Sequence, residues 1–174
     1  FPEVLATVLA AIPVLLVGPA GSGKTTIGHQ IADALGLSFS HTGAVTSRYE
    51  LSGFIDAQGR YQRTAFRDAY EHGGVFLFDE IDGSDAGALL WVNAAIANGV
   101  CAFPDGNIAR HADFRLIAAA NTFGLGADRV YVGRNQLDGA TLDRFVPIEF
   151  DYDEDMERAV FGATDWTARV QQVR

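Results

Sequence analysis

Lysine is nearly absent from this chain. Of its 13 basic residues, twelve are arginine and only Lys24 is lysine. Positive charge as a whole is short: 22 acidic residues leave a formal net charge of −9, with an isoelectric point near 4.7. That balance weighs against passive binding to nucleic acid or to an anionic membrane surface, both of which need a basic face. Only a local arginine surface stays open, because Arg60, Arg63 and Arg67 lie close together in sequence. Cysteine is equally scarce. Cys101 alone excludes an internal disulfide and fits a reducing compartment, so a cytoplasmic location is expected. Set in the apolar run at residues 99–103, Cys101 reads as a small buried residue rather than a nucleophile. Long apolar runs are missing too. The longest, residues 8–17, is too short to span a bilayer and contains Pro13. There are no internal repeats and no low-complexity tracts. The chain opens on Phe1 instead of Met and is read as part of a longer protein, so the lack of a signal peptide carries no weight.

What is present is concentrated around the one lysine. Lys24 lies in Gly18-Pro19-Ala20-Gly21-Ser22-Gly23-Lys24-Thr25, followed by Thr26, which fits the phosphate-loop pattern G-x-x-x-x-G-K-[ST]. The glycines let backbone N–H groups come close to phosphate oxygens, and the following helix turns its positive end toward them. A compact ammonium on a flexible stem reaches between β- and γ-phosphates better than a planar guanidinium does. The Thr25 hydroxyl is placed to ligate Mg²⁺. Context supports the motif. Val14-Leu15-Leu16-Val17 reads as a buried strand, and Ile27, Ile31, Ala34 and Leu35 recur at helical spacing up to Gly36.

With 174 residues, 48% hydrophobic and 20% charged, the chain suits one globular domain, large enough to bury about 70% of its extended surface. Helical patterns are expected over residues 3–11, 25–35, 64–72, 86–97 and 139–145. Strands are expected over 14–17, 37–40, 75–78, 114–120 and 146–150. A small hairpin is expected around residues 56–59, and a second with strands 100–103 and 108–110 around Pro104-Asp105-Gly106-Asn107. Strands alternating with helices imply a three-layer α/β sandwich on a mostly parallel, five-stranded sheet.

In Val75-Phe76-Leu77-Phe78-Asp79-Glu80 the apolar run buries a central strand and two carboxylates emerge at its end. Asp79 is expected to join Thr25 in holding Mg²⁺. Glu80, pointing to the other side, is expected to deprotonate a water attacking the γ-phosphate. Asn121 ends the next strand, where it either helps position that water or simply terminates the strand, Asn being common in turns.

Together these residues resemble the AAA+ ATPases: the phosphate loop, Phe78-Asp79-Glu80, Asn121 in the place of "sensor 1", and Asp143-Arg144-Phe145. The chain is most similar to the MoxR-like branch, which includes the cobaltochelatase ATPase subunit and ATPases that activate rubisco or nitric oxide reductase. Dynein and a GTP-using restriction motor are more distant. Residues 73–82 resemble the Walker B region of that branch, residues 135–145 its segment before the last strand, and residues 100–110 its pre-sensor-1 hairpin. Residues 51–63 stand where it carries a helix-2 insert.

The resemblance implies a P-loop NTPase core over residues 1–152 and, over residues 153–174, the start of a truncated helical lid in which Arg158 or Arg169 could stand for the "sensor 2" arginine. It implies Mg²⁺-dependent ATP binding and hydrolysis by a ring, usually a homo-hexamer, that remodels a protein client, a von Willebrand type A domain among the possibilities. The arginine acting on a neighbour's nucleotide matches Arg144 best, with Arg129 and Arg134 next; an internal ion pair of Arg144 with Asp143 or Asp138 is the alternative. Residues 52–62 and 104–107 are the candidate pore elements. Two other readings stand beside this one: a nucleotide-gated scaffold with negligible turnover, and a GTP-driven nucleic-acid motor, against which the net charge weighs.

Overall fold

Alternation of side chains along three central strands sets the architecture. The computed structural model describes residues 1–127 and 129–173. In chain order it contains α1 (Pro2–Leu9), β1 (Val14–Val17), α2 (Lys24–Leu35), β2 (Phe39–Thr42), α3 (Tyr49–Ser52), β3 (Phe54–Ile55), β4 (Tyr61–Gln62), α4 (Ala65–His72) and β5 (Gly74–Phe78). A single 3₁₀ turn (Ile81–Gly83) leads into α5 (Ala86–Asn98), β6 (Val100–Phe103), β7 (Gly106–Ala109), β8 (Phe114–Ala120), α6 (Gly139–Leu142), β9 (Val146–Glu149), α7 (Glu154–Phe161) and α8 (Asp165–Val173).

Five strands form one sheet in the order β2-β5-β8-β1-β9, and every pairing in it is parallel. The antiparallel pairs β3–β4 and β6–β7 are separate hairpins. Because β1, β5 and almost all of β8 are buried, they read as unbroken apolar runs, as strands covered on both faces must. Val14, Leu16, Val75, Leu77, Ile117 and Ala119 point to one face, where Val4 and Val8 of α1 and Ile27 and Ile31 of α2 cover them. Leu15, Val17, Phe76, Phe78, Leu116 and Ala118 point to the other, under α4, α5 and the β6–β7 hairpin. Full burial of each of these larger side chains contributes about 1.5–3 kcal/mol. The second layer is aromatic: Phe66 of α4 meets Phe76 edge-on at 5.1 Å and Phe114 at 5.9 Å.

Helix caps account for where several elements begin and end. Thr64 accepts from Arg67 N at the start of α4, and Asp85 accepts from Ala88 N at the start of α5, each cap contributing about 1 kcal/mol. The expected strand at 37–40 lies two residues later. Gly36, in left-handed conformation, closes α2 with Gly36 N→Asp33 O and Leu37 N→Ala32 O, so Leu37 is used by the helix end. The second hairpin is tighter than expected: Phe103 pairs with Gly106, leaving only Pro104 and Asp105 in the turn. Residues 143–145 are not α-helical, since Arg144 N→Thr141 O and Phe145 N→Leu142 O tighten the final turn.

The Arg60, Arg63 and Arg67 group is not a free basic surface. Arg60 pairs with Asp56, Arg63 with Asp68 and Glu71, and Arg67 with Glu71 and with Asp105 of the β6–β7 turn. Arg67 is only 2% exposed, and its guanidinium lies 4.4 Å from the Phe103 ring centre. The turn at Pro104 and Asp105, a candidate pore element, is therefore tied to α4. No helix among the described residues is long and apolar enough to cross a membrane.

Candidate functional site

β1 lies between β8 and β9, and the chain leaves its end toward β2 on one side and returns through β9 on the other. In parallel sheets such a reversal of strand order opens a crevice beyond the strand ends. Residues 18–26 fill that crevice. Gly18 is required by proximity: a Cβ there would stand within 1.9 Å of the Phe150 carbonyl oxygen. Gly23, with φ 94°, starts α2 in a conformation that L side chains rarely adopt. No side chain caps α2, so the free N–H groups of its first turn are open to an anion.

Lys24 is 7% exposed. Its ammonium donates to the Gly18 and Pro19 carbonyls at 2.8 Å each and to Asn121 Oδ1 at 3.2 Å. Burial pulls its pKa below the ordinary lysine value, while the Asp79, Asp82 and Glu80 carboxylates act in the other direction. Thr25 Oγ1 donates to Asp79 Oδ2 at 3.1 Å. Lys24, Thr25, Thr26, Asp79, Glu80 and Asn121 line one cavity of about 590 Å³, together with Ala20, Gly21, Gly23, His41 and Gly43.

Glu80 differs from the expected geometry. Strand alternation would turn Asp79 and Glu80 to opposite sides, but Glu80 has left-handed backbone, φ 51° and ψ 40°. The alternation stops there, and Asp79 and Glu80 both line the cavity. A non-glycine residue held this way costs about 1–3 kcal/mol and marks a place where the surroundings dictate conformation. Asp79 Oδ1 accepts the Glu80 amide at 2.9 Å.

Three residues at the site, Asp82, Tyr131 and Tyr152, carry no assignment from the sequence, and Arg134 has partners there that the sequence does not indicate. Asp82 is fully buried. Its Oδ2 accepts from Asn121 N, Thr122 N and Thr122 Oγ1, and its Oδ1 from Arg134 Nη1 at 3.3 Å. Arg134 Nη2 also donates to Glu80 Oε1 at 2.9 Å. Burial works against the Arg134 cation, but the Glu80 hydrogen bond and the Asp82 charge raise its pKa overall. Tyr131 and Tyr152 bond the two peptide groups that flank the Ala20 Cα, Ala20 N→Tyr131 Oη at 3.2 Å and Tyr152 Oη→Ala20 O at 2.6 Å. Asp82 could have been suspected from its place two residues after a carboxylate pair. For the tyrosines and for the pairing of Arg134 there is no local pattern to find.

Other predicted residues lie apart from the cavity. Arg144 donates to the Asn93 carbonyl at 3.2 Å and the Ala140 carbonyl at 3.0 Å and does not line the phosphate-loop cavity of its own chain. It is paired with neither Asp143 nor Asp138 among the described ion pairs. Arg129 is exposed. Arg134, second in line for action on a neighbour, is engaged within its own chain. Arg158 pairs with Glu154 and Asp155, and Arg169 lies on α8. Cys101 is buried and its thiol pKa is pushed up to about 12 by that burial, which suits an inert core residue.

The donor set fits a magnesium triphosphate. Mg²⁺ prefers hard oxygens in octahedral array and keeps several waters, so it takes one or two protein oxygens together with phosphates. Thr25 and Asp79 supply such a pair, and no cluster of three acidic, histidine or cysteine residues among those described could hold a metal without a ligand. The Ser22 hydroxyl in the loop is shielded from solvent yet has no hydrogen-bond partner among the described residues, as expected of a loop shaped around acceptor oxygens.

Known proteins are similar to this chain in sequence and in fold. Residues 13–145 match the family described as AAA domain (dynein-related subfamily). A 91-residue stretch is 37% identical to Lon protease of Methanosarcina barkeri, covering 45% of this chain and 11% of that protein. Among solved structures, a Cytophaga hutchinsonii protein provisionally named an ATPase superposes with a TM-score of 0.71 at 20% identity, over 91% of this chain and 48% of that one. NtrX of Brucella abortus in complex with ADP gives 0.65 at 16% identity, over 86% and 34%. At these identities the structural likeness is one of fold. The chain spans between about a third and a half of the solved chains it matches.

Proposed function

This chain belongs to the AAA domain family, in its dynein-related subfamily, and from that membership we propose that it binds ATP with Mg²⁺ and hydrolyses it. The observation that carries the proposal is convergence. Lys24 and Thr25, Asp79 and Glu80, and Asn121 come from three separate places in the chain and line one cavity at the strand ends. The backbone N–H groups of residues 21–26 and the Lys24 ammonium hold the phosphates. Thr25 and Asp79 would hold a Mg²⁺, which when bound would supply charge neutralisation at the phosphate oxygens. Glu80 takes a proton from a water as its oxygen bonds to the γ-phosphorus; the bond to the bridging oxygen breaks and ADP keeps that electron pair. Asn121 orients the same water. A neighbouring cavity of about 450 Å³ shares Gly21, Gly23 and Thr26 and has apolar walls at Phe1, Ile27 and Met156, with the carboxylates of Glu149, Asp151, Asp153 and Glu157 among its other lining residues. It offers apolar surface for a nucleobase.

The same reading extends to a MoxR-like ring, usually of six subunits, in which Arg144 acts on a neighbour's phosphates and turnover remodels a protein client. It takes residues 1–152 as the nucleotide-binding core and 153–174 as the first part of a lid. A von Willebrand type A domain is the suggested client. Support for Arg144 is its position outside its own cavity, with a guanidinium that donates to the Asn93 and Ala140 backbone carbonyls and forms no ion pair among the described residues.

Phosphate release by the full-length protein tests the proposal. Turnover should fall by at least about 100-fold in Glu80→Gln while ATP binding persists, as loss of a general base costs about 10²–10⁴-fold. Wild-type turnover in Glu80→Gln would exclude the assignment.

A further inference from the structure

Arg134 joins Glu80, the carboxylate proposed to activate water, to the buried Asp82, and nothing in the reaction described above employs it. Its side chain is only 14% exposed and spans two carboxylates, Nη2 to Glu80 Oε1 at 2.9 Å and Nη1 to Asp82 Oδ1 at 3.3 Å. The seat is built from several elements. Asn135 N donates to the Asp82 carbonyl and Asn135 Nδ2 to the Ser84 carbonyl, which fastens the loop carrying Arg134 to the 3₁₀ turn after β5. Gly83 gives the guanidinium room: a Cβ there would stand 2.9 Å from Arg134 Nη1 and 3.4 Å from Ala44 Cβ. Gly83 is not among the residues with positive φ, so its backbone does not call for glycine; the space does.

Asp82 joins this pair to the end of β8. One of its oxygens holds the Asn121 and Thr122 amides and the other holds Arg134. Glu80 is about half exposed at 48%, and its carboxylate would otherwise sample several rotamers. Through Arg134 it is referred to the same buried anchor that fixes Asn121.

We propose that Arg134 is a positioning residue for hydrolysis acting within its own subunit, holding Glu80 at a set distance from Asn121 through the shared Asp82 anchor. The inference rests on Glu80 being the carboxylate that activates water. It assigns Arg134 a task inside its own site, distinct from action on a neighbour's nucleotide. A planar fork is needed because two carboxylates must be held at once, which an ammonium does poorly.

Steady-state ATP turnover by the full-length protein, with melting and ATP-binding controls, is the test. Arg134→Ala should lower kcat by about 10–100-fold, the usual effect of a reacting group displaced by about 1 Å, with KM for ATP changed by less than about twofold. Arg134→Lys should recover only part of that loss. Gly83→Ala keeps the arginine but pushes its flexible end away, so it should fold normally and lower kcat as well. Its effect should vanish when Arg134 is already Ala, because both changes remove one contact. Unchanged or raised kcat in Arg134→Ala would overturn the inference, as would a Gly83→Ala loss of equal size in both backgrounds. These outcomes differ from failure of the proposed function itself, in which Glu80→Gln would turn over ATP like wild type.

Discussion

Replacing Asp82 with alanine removes the acceptor for three donors at the end of β8 and one partner of a buried ion pair. The carboxylate is 0% exposed. It accepts from Asn121 N at 3.2 Å, Thr122 N at 3.1 Å, Thr122 Oγ1 at 2.9 Å and Arg134 Nη1 at 3.3 Å. Truncating one member of a buried pair costs about 3–5 kcal/mol, chiefly through the charge left behind. Each buried donor left unsatisfied costs about 1–3 kcal/mol. The contributions do not add in full, since Arg134 keeps Glu80 and water can enter the space of the lost carboxylate. Asp82→Ala should therefore destabilise the domain by about 3–5 kcal/mol. For a chain of this size that lowers the melting temperature by roughly 6–20 °C. Asp82→Asn keeps one acceptor oxygen for the strand-end amides but turns an N–H group toward Arg134, and should cost about 1–3 kcal/mol. Urea unfolding followed by circular dichroism, without nucleotide, measures both. An Asp82→Ala protein within about 1 kcal/mol of wild type would refute the view that this carboxylate organises the strand ends.

Gly18→Ala should destabilise the fold by at least about 1–3 kcal/mol, as overpacking does, because the new Cβ would fall 1.9 Å from the Phe150 backbone oxygen; an unchanged unfolding midpoint would show that the two strand ends do not approach so closely. Glu71 provides a pH test. Hydrogen bonds from Arg67 and then Arg63 lower its pKa from 4.5 to about 2. The folded value is below the unfolded one, so the stabilisation is complete above about pH 4.5 and is lost as pH falls from there toward 2. Over that window the urea midpoint should drop less steeply in Glu71→Gln than in wild type, and equal slopes would contradict the assignment.

Much of the fold was legible because the decisive features are local. Buried parallel strands show as unbroken apolar runs, and the phosphate loop is contiguous, so β1, β5, β8 and the loop between β1 and α2 stand close to where the pattern put them. The start of β2 was misread because Leu37 is apolar for two reasons that sequence does not separate: it can open a strand or close a helix cap. The backbone of Glu80 escapes the pattern because alternation assumes extended geometry, and nothing in a two-residue acidic pair announces a left-handed φ. The arginine group is neutralised mostly by carboxylates close in sequence, Asp56, Asp68 and Glu71, a pairing that spacing permits but does not establish, while Asp105, the second partner of Arg67, lies 38 positions away. Arg134 and Glu80 are 54 apart. Such pairings depend on where β8 and its following loop come to rest, a property of the folded chain rather than of any window within it.

Calorimetric titration of a non-hydrolysable ATP analogue with Mg²⁺ into the full-length protein, wild type and Lys24→Ala, tests the central claim most directly. The wild type should bind one nucleotide per chain. Lys24→Ala should lose at least about 30-fold in affinity, roughly 2 kcal/mol for charge-assisted bonds to phosphate. Equal affinity in the two proteins, or no binding by the wild type, would contradict a phosphate site built around Lys24.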